Sequence, residues 1–171
     1  MSRTHALVIG GSGMLAGVVC FMTSRFDAVT VLARDPQKMA PLLEKSPRIH
    51  PLYVDYRKAS ELRDAIHEAI LDRGEISSIV AWVHQDGRDA LSTIIEQTNA
   101  QAILHVLGSR ANPVAERSRI RLRGGQSYSQ VQLGSSVEHG ARRWLTNEEI
   151  VQGVTEAFVQ KSTYHVVGEM S

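Results

Sequence analysis

Short apolar runs alternate with amphipathic segments from the N-terminus to about residue 109. ALVI at 6–9 is uninterrupted by polar residues, the pattern of a strand buried on both faces. A helix-like segment follows over 13–24. AVTVLA at 28–33 is β-branched and strand-like. DPQKMAPLLEK at 35–45 opens with Asp35 as an N-cap and Pro36 at the first helical position, while Pro41 weakens its later part. IHPLYVD at 49–55 reads as a third strand. Leu62, Ala65, Ile66, Ala69 and Ile70 then recur at helical spacing, Glu61, Arg63, Asp64, Glu68 and Asp72 face the other way, and Gly74 closes the helix. SSIVAWVH at 77–84 is a fourth strand, 88–99 a helix and AILHVLGS at 102–109 a fifth strand. This alternation predicts an α/β fold: a Rossmann-type, doubly wound, mainly parallel sheet with helices on both faces and right-handed crossovers.

The rhythm breaks after Ser109. Residues 110–127 hold Arg110, Arg117, Arg119, Arg121 and Arg123 and a Gly124-Gly125 pair; following the crevice-facing edge, they read either as a cluster that closes over phosphates or an acidic substrate or as a solvated, mobile loop. YSQVQLGS at 128–135 alternates as a strand does, with Ser129, Val131 and Leu133 on one side. Thr146-x-x-Glu149 is a capping box that starts a helix near 147, with Ile150, Val154, Ala157 and Phe158 as its buried stripe. YHVVG at 164–168 makes a last strand. No internal repeat or low-complexity tract appears, and residues 1–171 are expected to form a single domain.

Composition narrows the function classes. Hydrophobic residues make up 43% of the 171, charged residues 22%, and the formal net charge is +1. Such a chain can bury a real core, and its charge gives no reason to expect a nucleic-acid or membrane partner. No run of about 18 apolar residues exists to span a bilayer. The apolar stretch near the N-terminus is interrupted by Gly10, Gly11, Gly13 and Gly17 and has no clear cleavage site, so the expected location is the cytoplasm. Cys20, the one cysteine, has apolar neighbours and is expected to be a buried thiol in a reducing compartment. Cys20 and the histidines show no metal-ligand spacing.

The glycines gain meaning from their place. Gly10, Gly11 and Gly13 lie where the first strand hands over to the first helix. There Gly10 permits a tight turn, Gly13 lets the backbone approach a pyrophosphate, and the first N–H groups of the helix can bind phosphate oxygens. Ser12 adds a hydroxyl donor, Met14 and Leu15 complete the loop, and Ala16 or Gly17 allows close helix-to-strand packing. After the second strand, where an NAD site commonly has an acid, stand Ala33 and Arg34. An arginine there can pair with a 2′-phosphate, with Lys38 assisting, so the expected cofactor is NADP(H), with NAD(H) as the alternative.

These residues resemble the short-chain dehydrogenase/reductase superfamily. GGSGMLAG is similar to the glycine motif of its extended and atypical members, Arg34 matches their NADP-type position, and Asp55 matches the acid that contacts the adenine amino group. Together with VDY, AWVH, HVLGS and RWLTNEEI, the chain resembles compact bacterial proteins of that type. The resemblance implies a small-molecule substrate, self-association, and Ser109 at the position of the family's catalytic serine. It also exposes departures. The family's Asn-Asn-Ala-Gly segment is replaced by Ala81-Trp82-Val83-His84, and no Tyr-x-x-x-Lys exists: Tyr128 is the tyrosine counterpart, but Gln132 stands where the lysine would be. An isolated tyrosine titrates near pH 10 and is a poor base at neutral pH.

The remaining candidates follow from placement. His84 ends the fourth strand at the edge that faces the ligand crevice, where it can move a proton near neutral pH or bond to backbone or cofactor ribose. His105, Trp82 and Trp144 are expected to be packing residues. Two functions remain open at this stage: an oxidoreductase acting on a small carbonyl or hydroxyl compound with Ser109, His84 or Tyr128 polarising the substrate oxygen, and a non-catalytic dinucleotide-binding redox sensor or regulatory protein.

Overall fold

The structure, a computed structural model, describes residues 3–10, 12–84 and 87–170; Gly11 lies outside the described residues. In chain order the elements are β1 (His5–Ile9), α1 (Ala16–Thr23), β2 (Ala28–Ala33), α2 (Pro36–Leu43), β3 (Ile49–Tyr53), α3 (Ala59–Arg73), β4 (Ser78–Trp82), α4 (Arg88–Gln97), β5 (Ala102–Leu107), α5 (Pro113–Ser118), β6 (Ser127–Leu133), β7 (Ser135–Glu138), β8 (Ala141–Trp144), α6 (Asn147–Gln160) and β9 (Tyr164–Val167). Seven strands form one sheet in the order β3-β2-β1-β4-β5-β6-β9, every pair parallel. This is the Rossmann-type arrangement the alternation predicts.

Burial explains the all-apolar strands. β1 and β2 are buried at every position because helices cover both faces. On one face Val8, Val31, Val80, Val106 and Val131 pack against residues of α1, α2 and α6, including Leu15, Met39 and Val154. On the other, Leu7, Ile9, Ile79 and Ile103 pack against Leu62 and Ile66 of α3 and Leu91 and Ile94 of α4. The helix signals act as expected. Asp35 Oδ1 accepts from the Gln37 N–H at 2.9 Å, and α2 runs on through Pro41. Thr146 and Glu149 form a reciprocal capping box at α6.

Gly17 serves a different contact from the one expected. A Cβ there would stand 2.9 Å from the Val151 side chain, so Gly17 seats α1 against α6 rather than against a strand. Two elements lie beyond the alternation. α5 is one short helix opened by Asn112, whose Oδ1 accepts from the Ala115 N–H at 3.1 Å. The antiparallel pair β7–β8 turns through His139 and Gly140, both at positive φ, as a two-residue hairpin requires.

β1 lies between β2 and β4, and the chain winds outward from it in both directions. At such a switch point the loops beyond the carboxyl ends of the strands part and leave a crevice.

Candidate functional site

The glycine turn sits at the switch point. Gly10 ends β1 with φ +87°, a conformation that side chains rarely adopt. A Cβ on it would lie 3.0 Å from Trp82 Cβ and 3.1 Å from the Trp82 carbonyl oxygen, so both the backbone and the neighbouring strand require glycine. At Gly13 a Cβ would meet nothing within 4 Å, which leaves the backbone open to an approaching group. Ser12 is half-buried and its hydroxyl has no partner among the described residues. Leu15, at the N-cap position of α1, is buried in the core and its N–H bonds to the Gly10 carbonyl at 3.4 Å; Met14 packs partly onto the same core. Ser12 and Gly13 therefore present a hydroxyl and open backbone, while Gly10, Met14 and Leu15 anchor the turn. No acidic residue occupies the first turn of α1, which suits an anion.

On one side of this turn, Arg34 and Asp55 line a recess of about 500 Å³. Arg34 is exposed and has no hydrogen bond or ion pair among the described residues. Asp55 is engaged: Oδ1 accepts from the Arg57 N–H and Nε, both at 3.0 Å, and Oδ2 from Nη2 at 2.9 Å. These bonds to Arg57 hold its carboxyl well below the usual carboxylate range. The remaining wall includes Glu61, Asp64 and Glu68 of α3. The helical pattern places those acids outward, but not above the recess that Arg34 shares.

On the other side, Trp82, Val83, His84, Leu107, Gly108 and Arg110 border a cavity of about 210 Å³. His84 is exposed, with its ring centroid 6.0 Å from that of Trp82. Ser109 is exposed in the turn after β5 and borders an adjoining recess of about 340 Å³, closed by Arg142 and Trp144 of the hairpin. Arg110 is common to both spaces and has no partner among the described residues. Trp144, expected as a packing residue, is 81% exposed because β8 lies off the main sheet. Arg143 fixes the hairpin, donating from Nη2 to Glu138 at 2.9 Å and from Nη1 to Glu149 at 2.7 Å. Cys20 also departs from expectation: it lies on the exposed side of α1.

Tyr128 is not at this edge. It pairs with Ile103 in the register of β5 and β6, near the opposite end of the sheet, and is buried. Its hydroxyl lies 2.6 Å from His105 Nδ1 and accepts from Gln130 Nε2 at 3.1 Å, so the phenol proton is left to donate to the imidazole. Burial pushes the phenol up to about 12 and His105 down to about 4. Tyr128 does not itself border the cavity beside His84; its hydroxyl reaches that wall only through His105, which sets it apart from His84 and Ser109. Gln132 donates to the carbonyls of Gly108 at 3.2 Å and Ala111 at 2.8 Å, holding the loop after β5. Of the five arginines that follow, Arg110, Arg119 and Arg121 are exposed, as a solvated segment implies, whereas Arg117 donates to the carbonyls of Tyr128 and Thr163, and Arg123 to those of Ile95, Glu96 and Thr98.

Among the described residues, no helix is long and apolar enough to cross a membrane, and no group of histidine, cysteine and acid side chains could hold a metal ion.

No family model matches the chain, and no curated protein matches it. Solved structures do. A short-chain dehydrogenase/reductase from Brucella melitensis, described as a glucose/ribitol dehydrogenase, aligns with TM-score 0.74 and 11% identity over 100% of this chain and 98% of its own. A short-chain type dehydrogenase/reductase from Mycobacterium marinum gives 0.73 and 14% over 98% and 94%. A metagenomic short-chain oxidoreductase in complex with NADP gives 0.66 and 16% over 99% and 97%.

Proposed function

From the premise that this chain has the short-chain dehydrogenase/reductase fold, we propose that it binds a nicotinamide dinucleotide across the carboxyl ends of its strands. The observation that carries this reading is the turn itself: Gly10 at positive φ against Trp82, and Gly13 open to solvent, at the switch point and before a helix without acid in its first turn. Gly10, Ser12 and Gly13 would meet the pyrophosphate, with Met14 and Leu15 holding the loop from below. Asp55 would accept from the adenine amino group while keeping its bonds to Arg57. The unpaired Arg34 favours a 2′-phosphate and hence NADP(H). The acids of α3 around the same recess favour the alternative, NAD(H).

Bound there, the nicotinamide would supply hydride chemistry. The chain's own contribution would come from His84 and Ser109, the two candidates left at the edge, orienting the oxygen of a small carbonyl or hydroxyl compound. A second reading rests on a specific observation: neither cavity at this end is bordered by a lysine or tyrosine. Without a group to lower a phenol's pKa or hold the nicotinamide ribose, the chain could bind the dinucleotide as a redox sensor or regulatory subunit.

Calorimetric titration with NADPH and NADH tests binding first. Binding of NADPH at least about tenfold tighter, near 1.4 kcal/mol, supports Arg34 in its role. Equal affinities would remove the 2′-phosphate contact, and no binding by folded protein would leave the turn structural. NADPH oxidation across a panel of carbonyl compounds separates the two functional readings. Turnover that falls in both Ser109→Ala and His84→Ala supports the enzyme; binding without turnover supports the sensor. Self-association, implied by the resemblance, is read by light scattering with and without dinucleotide.

A further inference from the structure

We infer that the Trp82 indole is the platform for the nicotinamide ring and favours its oxidised, cationic form. This rests on the dinucleotide reading above and adds a residue to it.

Trp82 is the last residue of β4, directly beside β1 across the switch point. A Cβ on Gly10 would meet Trp82 Cδ1 at 3.2 Å, and one on Gly108 would meet Trp82 Cη2 at 3.4 Å. The indole therefore spans the strand ends from the glycine turn to the end of β5. It is half-buried, and it borders the cavity shared with His84 and Arg110. A ligand with its pyrophosphate at Gly13 and its reactive end near His84 and Ser109 must cross this ring. Two glycines flank the indole, so no side chain from either position shields its ends.

The chemistry follows from the ring's charge. Oxidised nicotinamide is a pyridinium cation, whereas the reduced ring is neutral and puckered. An indole face attracts a cation more strongly than any other aromatic side chain, and the attraction grows when water is excluded. Arg110 on the same cavity wall acts in the opposite sense by repelling the cation. The contribution of Trp82 is therefore read from the change in the ratio of the two affinities, not from the ratio itself.

The chain has two tryptophans, so Trp144→Phe leaves Trp82 as the only indole emitter. In that background, NADP+ and 2′-phospho-ADP-ribose, the same ligand without nicotinamide, are titrated by fluorescence and calorimetry. NADP+ does not absorb where tryptophan emits, so quenching by it reports contact rather than energy transfer. The expected result is strong quenching by NADP+ and little by 2′-phospho-ADP-ribose at equal saturation. In the chain with Trp144 intact, Trp82→Leu should weaken NADP+ at least fivefold more than NADPH and leave 2′-phospho-ADP-ribose within twofold. Trp82→Phe should retain part of that preference, and it serves if the leucine variant does not fold by circular dichroism. Equal quenching by both ligands, or equal loss for both oxidation states, would overturn the inference while leaving dinucleotide binding intact. Failure of every dinucleotide to bind in calorimetry would instead overturn the binding reading and the inference with it.

Discussion

The two ends of the strand-edge crevice are built on different principles. At the glycine turn, backbone makes the site: a positive φ at Gly10, an open Gly13 and the start of α1. Toward β5 and β6, side chains from distant segments make it: Trp82 from β4, Ser109 and Arg110 after β5, Arg142 and Trp144 from the hairpin. A backbone site tolerates drift in side chains but hardly any change at its glycines. A side-chain site can change its chemistry while the frame persists, and this frame aligns over 100% of the chain with the Brucella structure at only 11% identity.

Substitutions at the two ends should therefore differ in kind. The largest effect is expected at Gly10→Val. It forces a β-branched residue into positive φ and drives a side chain into Trp82, so the fold should lose several kcal/mol, on the order of 2 to 4, with dinucleotide affinity down at least about a hundredfold. Denaturant unfolding and calorimetry read both. If Gly10→Val bound as well as the parent, the backbone account of this end would be sunk.

Next comes the buried polar group on β6. Tyr128→Phe leaves His105 Nδ1 without its donor, and stability should drop by about 1 to 3 kcal/mol while dinucleotide affinity holds. A loss of turnover at unchanged stability would restore Tyr128 to the chemistry. The same pair sets a pH dependence. His105 has its folded pKa lowered to about 4 from 6.5, so the unfolded chain binds the extra proton first. Its contribution is complete above 6.5 and is lost as the pH falls toward 4, on the order of 3 kcal/mol for this one group. Unfolding midpoints measured from pH 7 to 4 should show that slope, and His105→Gln should flatten it.

The smallest effect is expected at the recess that Arg34 shares with Asp55. Arg34→Ala should weaken NADPH about tenfold and leave NADH unchanged, because the guanidinium has no hydrogen bond or ion pair to lose among the described residues. An equal loss for both cofactors would mean that Arg34 acts on the fold or on the shared adenosine.

The same division governs how much the chain discloses by itself. β2 is found at 28–33 as its β-branched run implies, and the cap at Thr146 is found where Glu149 implies it, because both signals are local. The strand reading of 128–135, now Ser127–Leu133, was enough to keep Tyr128 off a helix face. That parallel pairing with Ile103 starts Tyr128 near the far end of the sheet is not legible there, since register is a tertiary property. The hairpin was missed because His139-Gly140 is a weaker turn signal than Asn-Gly. Asn112 before Pro113 is a helix-start signature for α5, but the arginine-rich composition that follows carries no apolar periodicity to extend it. Trp82 carries no local sign of the role proposed for it; the departure from Asn-Asn-Ala-Gly is the one available hint.

Arg143 has a mechanical consequence. Its guanidinium joins Glu138 on the hairpin to Glu149, and Glu149 Oε1 also accepts the Thr146 N–H that opens α6. The bonds from Arg143 hold the Glu149 carboxyl down to about 2, so the clasp stays charged under any ordinary condition. The hairpin is therefore coupled to α6 as a crank is to its shaft. A force that swings Trp144 away from the crevice must first break the Arg143–Glu149 pair, which ties the hairpin to the opening turn of α6.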